Sequence, residues 1–236
     1  GSRIAERVLV QALEAFPSTG FVNAYGLTET ASTIAVLGPD DHRAALAGDD
    51  PDARRRLSSA GRLLPAVEVE VRDDDGNALA PGSIGIIHVR GEQVAGEYAT
   101  GSALDTSGWF NTRDRGFVDA DGYLFIEGRA DDTIIRGGEN IAPAEIEEVL
   151  YRDDDVLEAC VVGIPDEEWG QRIAAVVVRR NGVVDEESLK ARVRAELRGS
   201  KTPEIVLFRD SLPHTPTGKL LRRHVVDDIV GQIETR

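Results

Sequence analysis

Residues 23–30 of the chain combine side chains whose chemistry suits a nucleotide. The ring of Tyr25 can stack on a base, and the hydroxyl of Thr28 can donate to a phosphate oxygen. The carboxylate of Glu29 can help to hold Mg²⁺, and Gly26 adds backbone freedom directly after the tyrosine. A strand that runs into a helix cap accounts for the same residues, and on local chemistry alone that plainer interpretation is favoured.

Two further segments carry a carboxylate or paired glycines. Asp114 closes residues 108–114, and a carboxylate beside a β unit can accept hydrogen bonds from both hydroxyls of a ribose. An ordinary surface charge is the alternative for this residue. Gly137 and Gly138 permit unusual backbone angles near residue 130, which suits a hinge as well as it suits a plain polar connection between domains.

Lys219 is one of three lysines in the chain, and it follows a loop stiffened by proline and glycine. A movable positive charge in such a loop can stabilise an anionic transition state, although a solvated surface lysine is the default for any single case. The segment is not a Walker A motif, because its first glycine would fall on Pro213 and Leu220 replaces the Ser or Thr. Motifs for dinucleotide binding (G-x-G-x-x-G), a hydrolase elbow (G-x-S-x-G) and zinc (H-E-x-x-H, Cys-x-x-Cys) do not occur in the sequence, and residues 119–124 do not match a calcium loop.

The composition and net charge of the chain argue against several classes of binding partner. Acidic residues outnumber basic ones 42 to 27 in 236 residues, and the net charge of -15 leaves no broad basic face for nucleic acid or anionic lipid. No apolar stretch approaches the roughly 20 residues of a membrane-spanning helix. The lone cysteine, Cys160, lies in an apolar run and is predicted to be a buried thiol. With no recognisable export signal, these features predict a cytoplasmic protein without a membrane span.

The first half of the chain predicts a helix followed by an antiparallel β unit. A four-residue apolar stripe predicts a helix over residues 3–16, which Pro17 ends. From Val67 onward apolar and charged residues alternate strictly, and Asp-Gly pairs downstream predict hairpin turns. The Asp-Gly pairs lie at 75–76 and 121–122, the other predicted strands at 20–24, 116–119 and 123–127, and a solvated loop or polar helix at 40–56.

After Gly128 helices and strands alternate quickly, which predicts a small α+β domain that begins near residue 130. Asp185 is predicted to cap a helix that carries Leu189, Val193 and Leu197. The predicted strands are 133–136, 156–164, 173–179 and 203–208, and the other predicted helices are 143–151 and a final stretch that contains Leu220, Val225 and Ile229.

Taken in order, these segments resemble the adenylate-forming superfamily, which includes acyl-CoA synthetases, adenylation domains and luciferases. Five ordered motifs are more specific than any one of them. The segments are residues 23–30, 108–114, 121–129, 131–147 and 213–219, with 61–65 fitting the stretch before the β unit. The resemblance implies an α+β fold: the C-terminal portion of a large domain over 1–129, with an antiparallel, β-barrel-like subdomain over about 60–129, and a small mobile C-terminal domain over 130–236.

The resemblance also implies a reaction in two steps. A carboxylic acid, fatty or aryl, attacks the α-phosphate of ATP to give acyl-AMP and pyrophosphate, and a thiol, usually coenzyme A, then displaces AMP. ATP and AMP, Mg²⁺ and coenzyme A are therefore the implied cofactors and co-substrates. Residues 136–141 with Pro143 resemble the fatty-acyl and aryl-CoA ligase branches.

Residue roles follow from the same resemblance. Lys219, Thr28 and Glu29 are implied to be catalytic, with Glu29 on Mg²⁺, and Asp131 falls on the hinge about which the small domain rotates. The implied nucleotide-binding residues are Asn23, Ala24, Tyr25, Gly26, Thr28, Asp114 and Arg129. The implied thiol-tunnel loop consists of Gly137, Gly138 and Glu139.

Two departures from the family pattern qualify these roles. Arg113 stands where the family more usually has the glycine of Thr-Gly-Asp, which leaves the ribose carboxylate in place and affects local backbone freedom. The family's Ser/Thr/Gly-rich phosphate loop and most of its acyl pocket would lie upstream of residue 1. We therefore expect the parent protein to be the enzyme and this polypeptide alone to be inactive or nearly so.

Two alternatives to a CoA ligase stay open. The acyl group could be transferred to the thiol of a carrier protein, or the chain could be a non-catalytic nucleotide-binding or assembly module. The joint retention of Glu29, Asp114 and Lys219 argues against an inert relic, because such a relic needs no metal, ribose and phosphate groups together. The sequence leaves the identity of the acid and the oligomeric state open, a homo-oligomer included.

Overall fold

The computed structural model describes residue 4 and residues 6–47, 50–95, 97–98, 101–216 and 218–234. The fold is mixed α+β with a large antiparallel sheet, as predicted. The chain divides into two compact units, one formed by Val8–Ala130 and the other holding Asp131–Arg236.

A seven-stranded antiparallel sheet forms the centre of the first unit, in the order β1-β2-β3-β9-β8-β5-β4. The two remaining short strands described in this unit, β6 and β7, pair with each other. In chain order the strands are β1 (Asn23–Tyr25), β2 (Ala35–Leu37), β3 (Gly61–Leu63), β4 (Glu68–Arg72), β5 (Gly85–Arg90), β6 (Glu97–Tyr98), β7 (Gly101–Ser102), β8 (Phe110–Val118) and β9 (Tyr123–Arg129).

Alternation of apolar and polar residues builds this sheet as the sequence predicts. Ile87 and Val89 of β5 are fully buried, while His88 between them is only half-buried. These side chains join Ile34 and Leu124 in one core cluster. Gly122, with φ of 82°, makes the turn between β8 and β9 at the predicted Asp-Gly pair.

The sheet extends further toward the N-terminus than residues 60–129, because β1 and β2 add to its edge. The predicted strand over 20–24 is displaced: Tyr25 lies inside β1, since its backbone pairs with Ala35. The described residues of 40–56 are largely helical, as the polar-helix alternative predicts, but His42 and Ala45 are buried, so this stretch is not wholly solvated. The helices of this unit are α1 (Glu6–Ala15), α2 (Pro39–Leu46) and α3 (Pro51–Arg55), with 3-10 turns at Thr28–Thr30 and Arg56–Ser58.

The second unit is a three-stranded sheet between helices. One face of the sheet packs on α4 and α5 through residues such as Val161, and the other packs on α6 through Cys160 and Val162. Its elements are β10 (Ile134–Arg136), β11 (Glu139–Ile141), α4 (Pro143–Leu150), β12 (Val156–Asp166), β13 (Gly170–Arg179), α5 (Glu186–Glu196), β14 (Ile205–Arg209) and α6 (Arg222–Glu234). Strands β12 and β13 are antiparallel, β13 and β14 are parallel, and β10 and β11 form a separate hairpin.

Most predicted elements of this unit are confirmed. Asp185 caps α5 by accepting a hydrogen bond from the backbone N–H of Ser188 at 2.8 Å, and Cys160 is buried. The final helix begins at Arg222, so the inclusion of Leu220 is wrong: Leu220 forms an isolated β-bridge with His214 instead. In the part of the chain that the structure describes, no helix has both the length and the apolar character needed to cross a membrane.

Candidate nucleotide site and the separate lysine turn

The first unit brings Tyr25 and Asp114 together although 89 residues separate them in the sequence. Tyr25 ends β1, Asp114 lies in β8, and the tyrosine hydroxyl donates to Asp114 Oδ2 at 2.5 Å. Arg129, the last residue of β9, donates from Nη1 to the other carboxylate oxygen at 3.1 Å. We call these three residues the Tyr25 cluster.

Asp114 is buried, with 5% of its surface exposed, and its surroundings account for the position of its carboxylate. The backbone N–H of Asp114 donates to Thr112 Oγ1 at 3.1 Å, and that hydroxyl donates to the carbonyl of Ile87 at 2.8 Å. Arg129 also donates to the carbonyl of Thr112 at 3.0 Å. The surface charge considered as the alternative for Asp114 is therefore wrong, because neighbouring strands enclose this side chain.

Electrostatics keep the Tyr25 hydroxyl protonated. Burial raises the pKa of Tyr25, and the nearby Asp114 carboxylate raises it further by charge and by hydrogen bonding. The proton therefore stays on the phenol, which remains a donor to Asp114. A carboxylate has about four acceptor positions, and the hydrogen bonds from Tyr25 and Arg129 use two of them at Asp114.

Asn23 and Tyr25 project from the same face of β1, because side chains alternate along a strand. The side-chain amide of Asn23 donates to the carbonyl of Ser59 at 3.4 Å, which holds it at the edge of the sheet. Ala24 faces the other way and is exposed.

A tight turn follows β1 and carries the other predicted residues of this unit. A Cβ atom on Gly26 would lie 1.8 Å from the carbonyl oxygen of Ser32, so only glycine fits there. Thr28 and Glu29 begin a 3-10 turn, Thr28 being exposed and Glu29 half-buried. The Thr30 hydroxyl is buried: it accepts from the N–H of Leu27 and donates to the carbonyl of the same residue. The turn is thus internally bonded and presents Thr28 at the surface.

Gln93 fixes this turn from outside and was not singled out in the sequence. Its side-chain amide donates to the carbonyls of Thr30 at 2.8 Å and Thr33 at 2.5 Å. The backbone N–H of Ala95 donates to the carbonyl of Glu29 at 2.7 Å. A glutamine 63 residues away leaves no local signal for this contact, because neither composition nor spacing connects the two segments.

The departure at Arg113 has a defined geometry. Its φ is 58°, the left-handed region in which a glycine is unstrained. The side chain of Asn111 accepts from the Arg113 N–H at 2.8 Å and supports this conformation. The kink lies next to Asp114, so the unusual backbone angle that the family glycine allows is also formed here, by an arginine.

Lys219 belongs to the second unit and lies on an exposed turn. Thr215 closes this turn: its N–H donates to the Lys219 carbonyl at 2.8 Å, and its hydroxyl accepts from the Lys219 N–H at 3.0 Å. Gly218 has φ of 82° within it. Thr217 lies outside the described residues. Lys219 therefore lies on an exposed turn that is held closed by its hydrogen bonds with Thr215.

The predicted hinge and the thiol-tunnel residues also belong to the second unit. Asp131 is the first residue after the division between the two units, in a 3-10 turn. Gly137 and Gly138, with φ of 57° and 80°, form the two-residue turn of the β10–β11 hairpin, and Glu139 begins β11. The backbone angles of the paired glycines are thus explained by a hairpin turn, while the thiol-tunnel role implied for Gly137, Gly138 and Glu139 stays a prediction.

The donor set in the first unit suits a polar ligand with an aromatic portion. Among the residues that the structure describes, no three His, Cys, Asp or Glu side chains cluster as a metal site. Glu29 offers one carboxylate, and Mg²⁺ is commonly bound by one or two carboxylates together with substrate phosphates. Glu29 therefore fits Mg²⁺ that arrives with a phosphate ligand, and it does not make a cage of protein ligands.

Comparison with known protein families gives two matches. The profile of the AMP-binding enzyme family matches residues 1–99, and that of the AMP-binding enzyme C-terminal domain matches residues 145–219. The second match covers α4 through the Lys219 turn.

Similar proteins are ligases of roughly twice the length or more. The chain is 38% identical to indoleacetate–CoA ligase of Aromatoleum aromaticum over 86% of this chain and 39% of that protein. It is 38% identical to a fatty acid–[acyl-carrier-protein] ligase of Streptomyces coeruleorubidus over 98% of this chain and 44% of that protein. The structure matches o-succinylbenzoate CoA synthetase of Bacillus subtilis, solved with its acyl-adenylate intermediate, with a TM-score of 0.80 and 31% identity over 95% of this chain and 44% of that one. The chain thus spans about two-fifths of the length of these relatives.

Proposed function

We propose, because the chain belongs to the adenylate-forming superfamily of AMP-binding enzymes, that the protein containing it is an ATP-dependent ligase that joins a carboxylic acid to a thiol. The Tyr25 cluster carries the proposal, since it places an aromatic ring beside a buried carboxylate. The acid is open between fatty and aryl classes. Relatives that act on indoleacetate and on fatty acids support both.

The proposed nucleotide site uses the cluster as it stands. The two hydroxyls of a ribose donate to Asp114, whose carboxylate Arg129 and Tyr25 already orient. The Tyr25 ring stacks on the adenine, and Asn23, on the same face of β1, reaches its amino group. Ala24 and Gly26 line the approach with little side-chain bulk.

The turn after β1 is proposed to meet the phosphates. The exposed Thr28 hydroxyl donates to a phosphate oxygen, and Glu29 holds Mg²⁺ together with the phosphates. Bound Mg²⁺ supplies positive charge that offsets the charge on the triphosphate. Gln93 keeps the turn in place by its hydrogen bonds to Thr30 and Thr33.

Lys219 is proposed to act in the first half-reaction. A carboxylate oxygen attacks the α-phosphorus, a new P–O bond forms, and the bond to pyrophosphate breaks as pyrophosphate leaves with its electron pair. Negative charge builds on the α-phosphate oxygens during this step, and the Lys219 ammonium stabilises it. Removing one such charge-stabilising group typically slows a reaction by about 10²–10³.

In the second half-reaction a thiol attacks the acyl carbon and AMP leaves. We infer that rotation about Asp131 replaces Lys219 by the Gly137–Gly138 turn and Glu139 at the thiol. Coenzyme A is the proposed acceptor, and a carrier-protein thiol is the alternative that the Streptomyces relative supports.

The test is carboxylate-dependent exchange of pyrophosphate into ATP, measured across a panel of fatty and aryl acids. It uses the longest product of the gene that encodes this chain, called here the full-length protein. We expect exchange that requires an acid, and a loss of about 10²-fold or more in Lys219→Ala. Lys201→Ala is the matched control, because Lys201 pairs with Glu145 at 2.7 Å on the same unit, and it should stay within about threefold of wild type.

Two outcomes would redirect the proposal. No exchange with any acid, while AMP still binds, would favour the non-catalytic nucleotide-binding module. Exchange followed by AMP release with a carrier protein but not with coenzyme A would keep the adenylation step and change the acceptor.

A further inference from the structure

Arg222 is a partly buried cation of the second unit that the proposed reaction does not use. It begins α6, three residues after Lys219, and its guanidinium forms a two-point contact with the Glu147 carboxylate of α4, at 2.5 Å and 2.9 Å. The same guanidinium donates to the carbonyl of Val161 in β12 at 2.8 Å. Its Nε lies 3.5 Å from Oδ2 of Asp132. One side chain therefore contacts three separate segments.

The ion pair between Arg222 and Glu147 is largely shielded from solvent and has a defined geometry. The side chains of Arg222 and Glu147 are 22% and 11% exposed, and Glu147 Oε1 also accepts from the N–H of Val161 at 2.8 Å. Burial works against the charge on Arg222, but the hydrogen bonds and charge of Glu147, together with the nearby Cys160 and Asp132, outweigh burial and raise the pKa of Arg222. A planar guanidinium suits this two-point geometry, which an ammonium cannot reproduce.

The position of Arg222 along the chain connects its contact with Glu147 to the Lys219 turn. The Lys219 turn is closed on itself by Thr215, and its exit is fixed where the N–H of Leu221 donates to the carbonyl of Pro213 at 2.9 Å. Arg222 is the next residue. At its other contact, Asp132 follows Asp131, the residue proposed as the hinge. The turn that carries Lys219 is thus joined through one side chain to the first residues of the unit.

We propose that Arg222 is a positioning residue that holds the Lys219 turn at a fixed place relative to the Asp131–Asp132 segment. The inference rests on the proposed function, in which Lys219 acts only during adenylation. When the second unit rotates about Asp131, a turn fixed in this way moves with the segment at the hinge and returns Lys219 to the same place. Loss of the two-point contact therefore impairs the step that uses Lys219 and spares the step that does not.

The test compares the two half-reactions in the full-length protein. Arg222→Lys keeps a positive charge and loses the planar two-point contact. We expect pyrophosphate exchange to fall about tenfold or more, while thioester formation from supplied acyl-AMP changes by less than about twofold. Arg223→Lys is the matched control, because Arg223 is the exposed neighbour on the same helix, and both of its half-reactions should stay at the wild-type rate. An equal fall in both half-reactions of Arg222→Lys, or no fall in either, would overturn the proposal.

A second readout does not need activity. Hydrogen exchange followed by mass spectrometry reports the amides of Gly218, Lys219 and Leu221, all hydrogen-bonded within the turn. We expect these amides to exchange faster in Arg222→Lys while those of β13 stay protected, and unchanged exchange in the turn would refute the positioning role. A wild-type protein without pyrophosphate exchange would refute the proposed function, yet the hydrogen-exchange result would still decide the role of Arg222.

Loss of protection in β13 as well would mean that Arg222→Lys unfolds the unit. In that case the double variant Arg222→Met with Glu147→Gln is used in place of Arg222→Lys, because the double variant removes both enclosed charges together. The same result is expected for the turn amides, and protection equal to wild type in the double variant would overturn the proposal.

Discussion

At the scale of a single residue, the carboxylate of Asp114 is both paired with an opposite charge and held in one orientation. Its carboxylate is enclosed by the sheet, and the Arg129 guanidinium contacts it at 3.1 Å. It must also stay oriented, and the Tyr25 hydroxyl and the Thr112 hydroxyl hold its side chain and its backbone. A ligand that donates two hydroxyl hydrogens therefore meets an acceptor that is already aligned, so little ordering remains to be done on binding.

The left-handed conformation of Arg113 leads to a prediction about stability. A residue with a Cβ atom is strained there and a glycine is not. We expect Arg113→Gly to have a free energy of unfolding about 1 kcal/mol higher than Arg113→Ala, since both variants lose the same side chain beyond Cβ. Urea unfolding of the two variants measures the difference. At Arg90, which lies in the regular pairing of β4 with β5 and has no positive φ, the order of glycine and alanine should reverse, and the same order at both positions would contradict the assignment.

His42 makes stability depend on pH. Burial lowers the pKa of His42 in the folded protein below the value of about 6.5 that it has in the unfolded chain. As the pH falls, the unfolded chain therefore takes up a proton on this ring while the folded protein still keeps the ring neutral. The free energy of unfolding should therefore decrease as the pH falls below about 6.5. In His42→Gln this decrease should be smaller, since the replacement does not titrate. Unfolding curves between neutral and mildly acidic pH test this, and an equal decrease in wild type and His42→Gln would contradict it.

Single residues were predictable from sequence where a motif names the residue type, and not where distant backbone supplies the contact. Tyr25 and Asp114 were chosen from local chemistry and family resemblance, and the structure places them in direct contact. The role of Gln93 was missed because its partners are carbonyl oxygens, which every residue carries. The burial of Glu147 and Arg222 as a pair was missed for a similar reason, since charged residues in a helix are usually solvated.

At the scale of elements, the turn after β1 depends on a close backbone approach at Gly26. Because a Cβ atom there would lie 1.8 Å from the carbonyl oxygen of Ser32, Gly26→Ala must displace the turn that carries Thr28 and Glu29. We expect a loss of stability of about 3 kcal/mol, measured by thermal unfolding, and weaker ATP binding by calorimetry. Gly231→Ala is the matched control, because no atom lies within 4 Å of its Cβ position, and its stability should equal or exceed that of wild type. Equal behaviour of the two variants would contradict the close approach.

Elements with a strong periodic pattern were predicted well, and short elements only in part. The alternation along β4 and the capped helix α5 follow from local spacing and from Asp185, and β10 was predicted over 133–136. Strand β11 is three residues long, and its pairing with β10 depends on the turn at Gly137 and Gly138. Three residues are too few for a period to be visible, and the glycine pair was interpreted as a hinge or a polar connection, so this hairpin was not predicted.

At the scale of the whole molecule, the division into two units matches a division of proposed chemistry. The first unit holds the Tyr25 cluster and the turn with Thr28 and Glu29, while the second holds Lys219 and the Gly137–Gly138 hairpin turn. A lysine and a hairpin carried on one separate unit can be exchanged by a rotation, which is how one protein would perform two reactions in sequence.

The central claim is that a carboxylate oxygen attacks the α-phosphorus of ATP. The most direct test supplies the full-length protein with an acid that carries heavy oxygen in both carboxylate positions, then with coenzyme A, and analyses the nucleotide by mass spectrometry. Cleavage of the acyl–oxygen bond in the second step leaves one labelled oxygen on the released nucleotide, so we predict AMP with one heavy oxygen atom for each thioester formed. ADP as the product, with the label in inorganic phosphate, or AMP without any label would contradict the account.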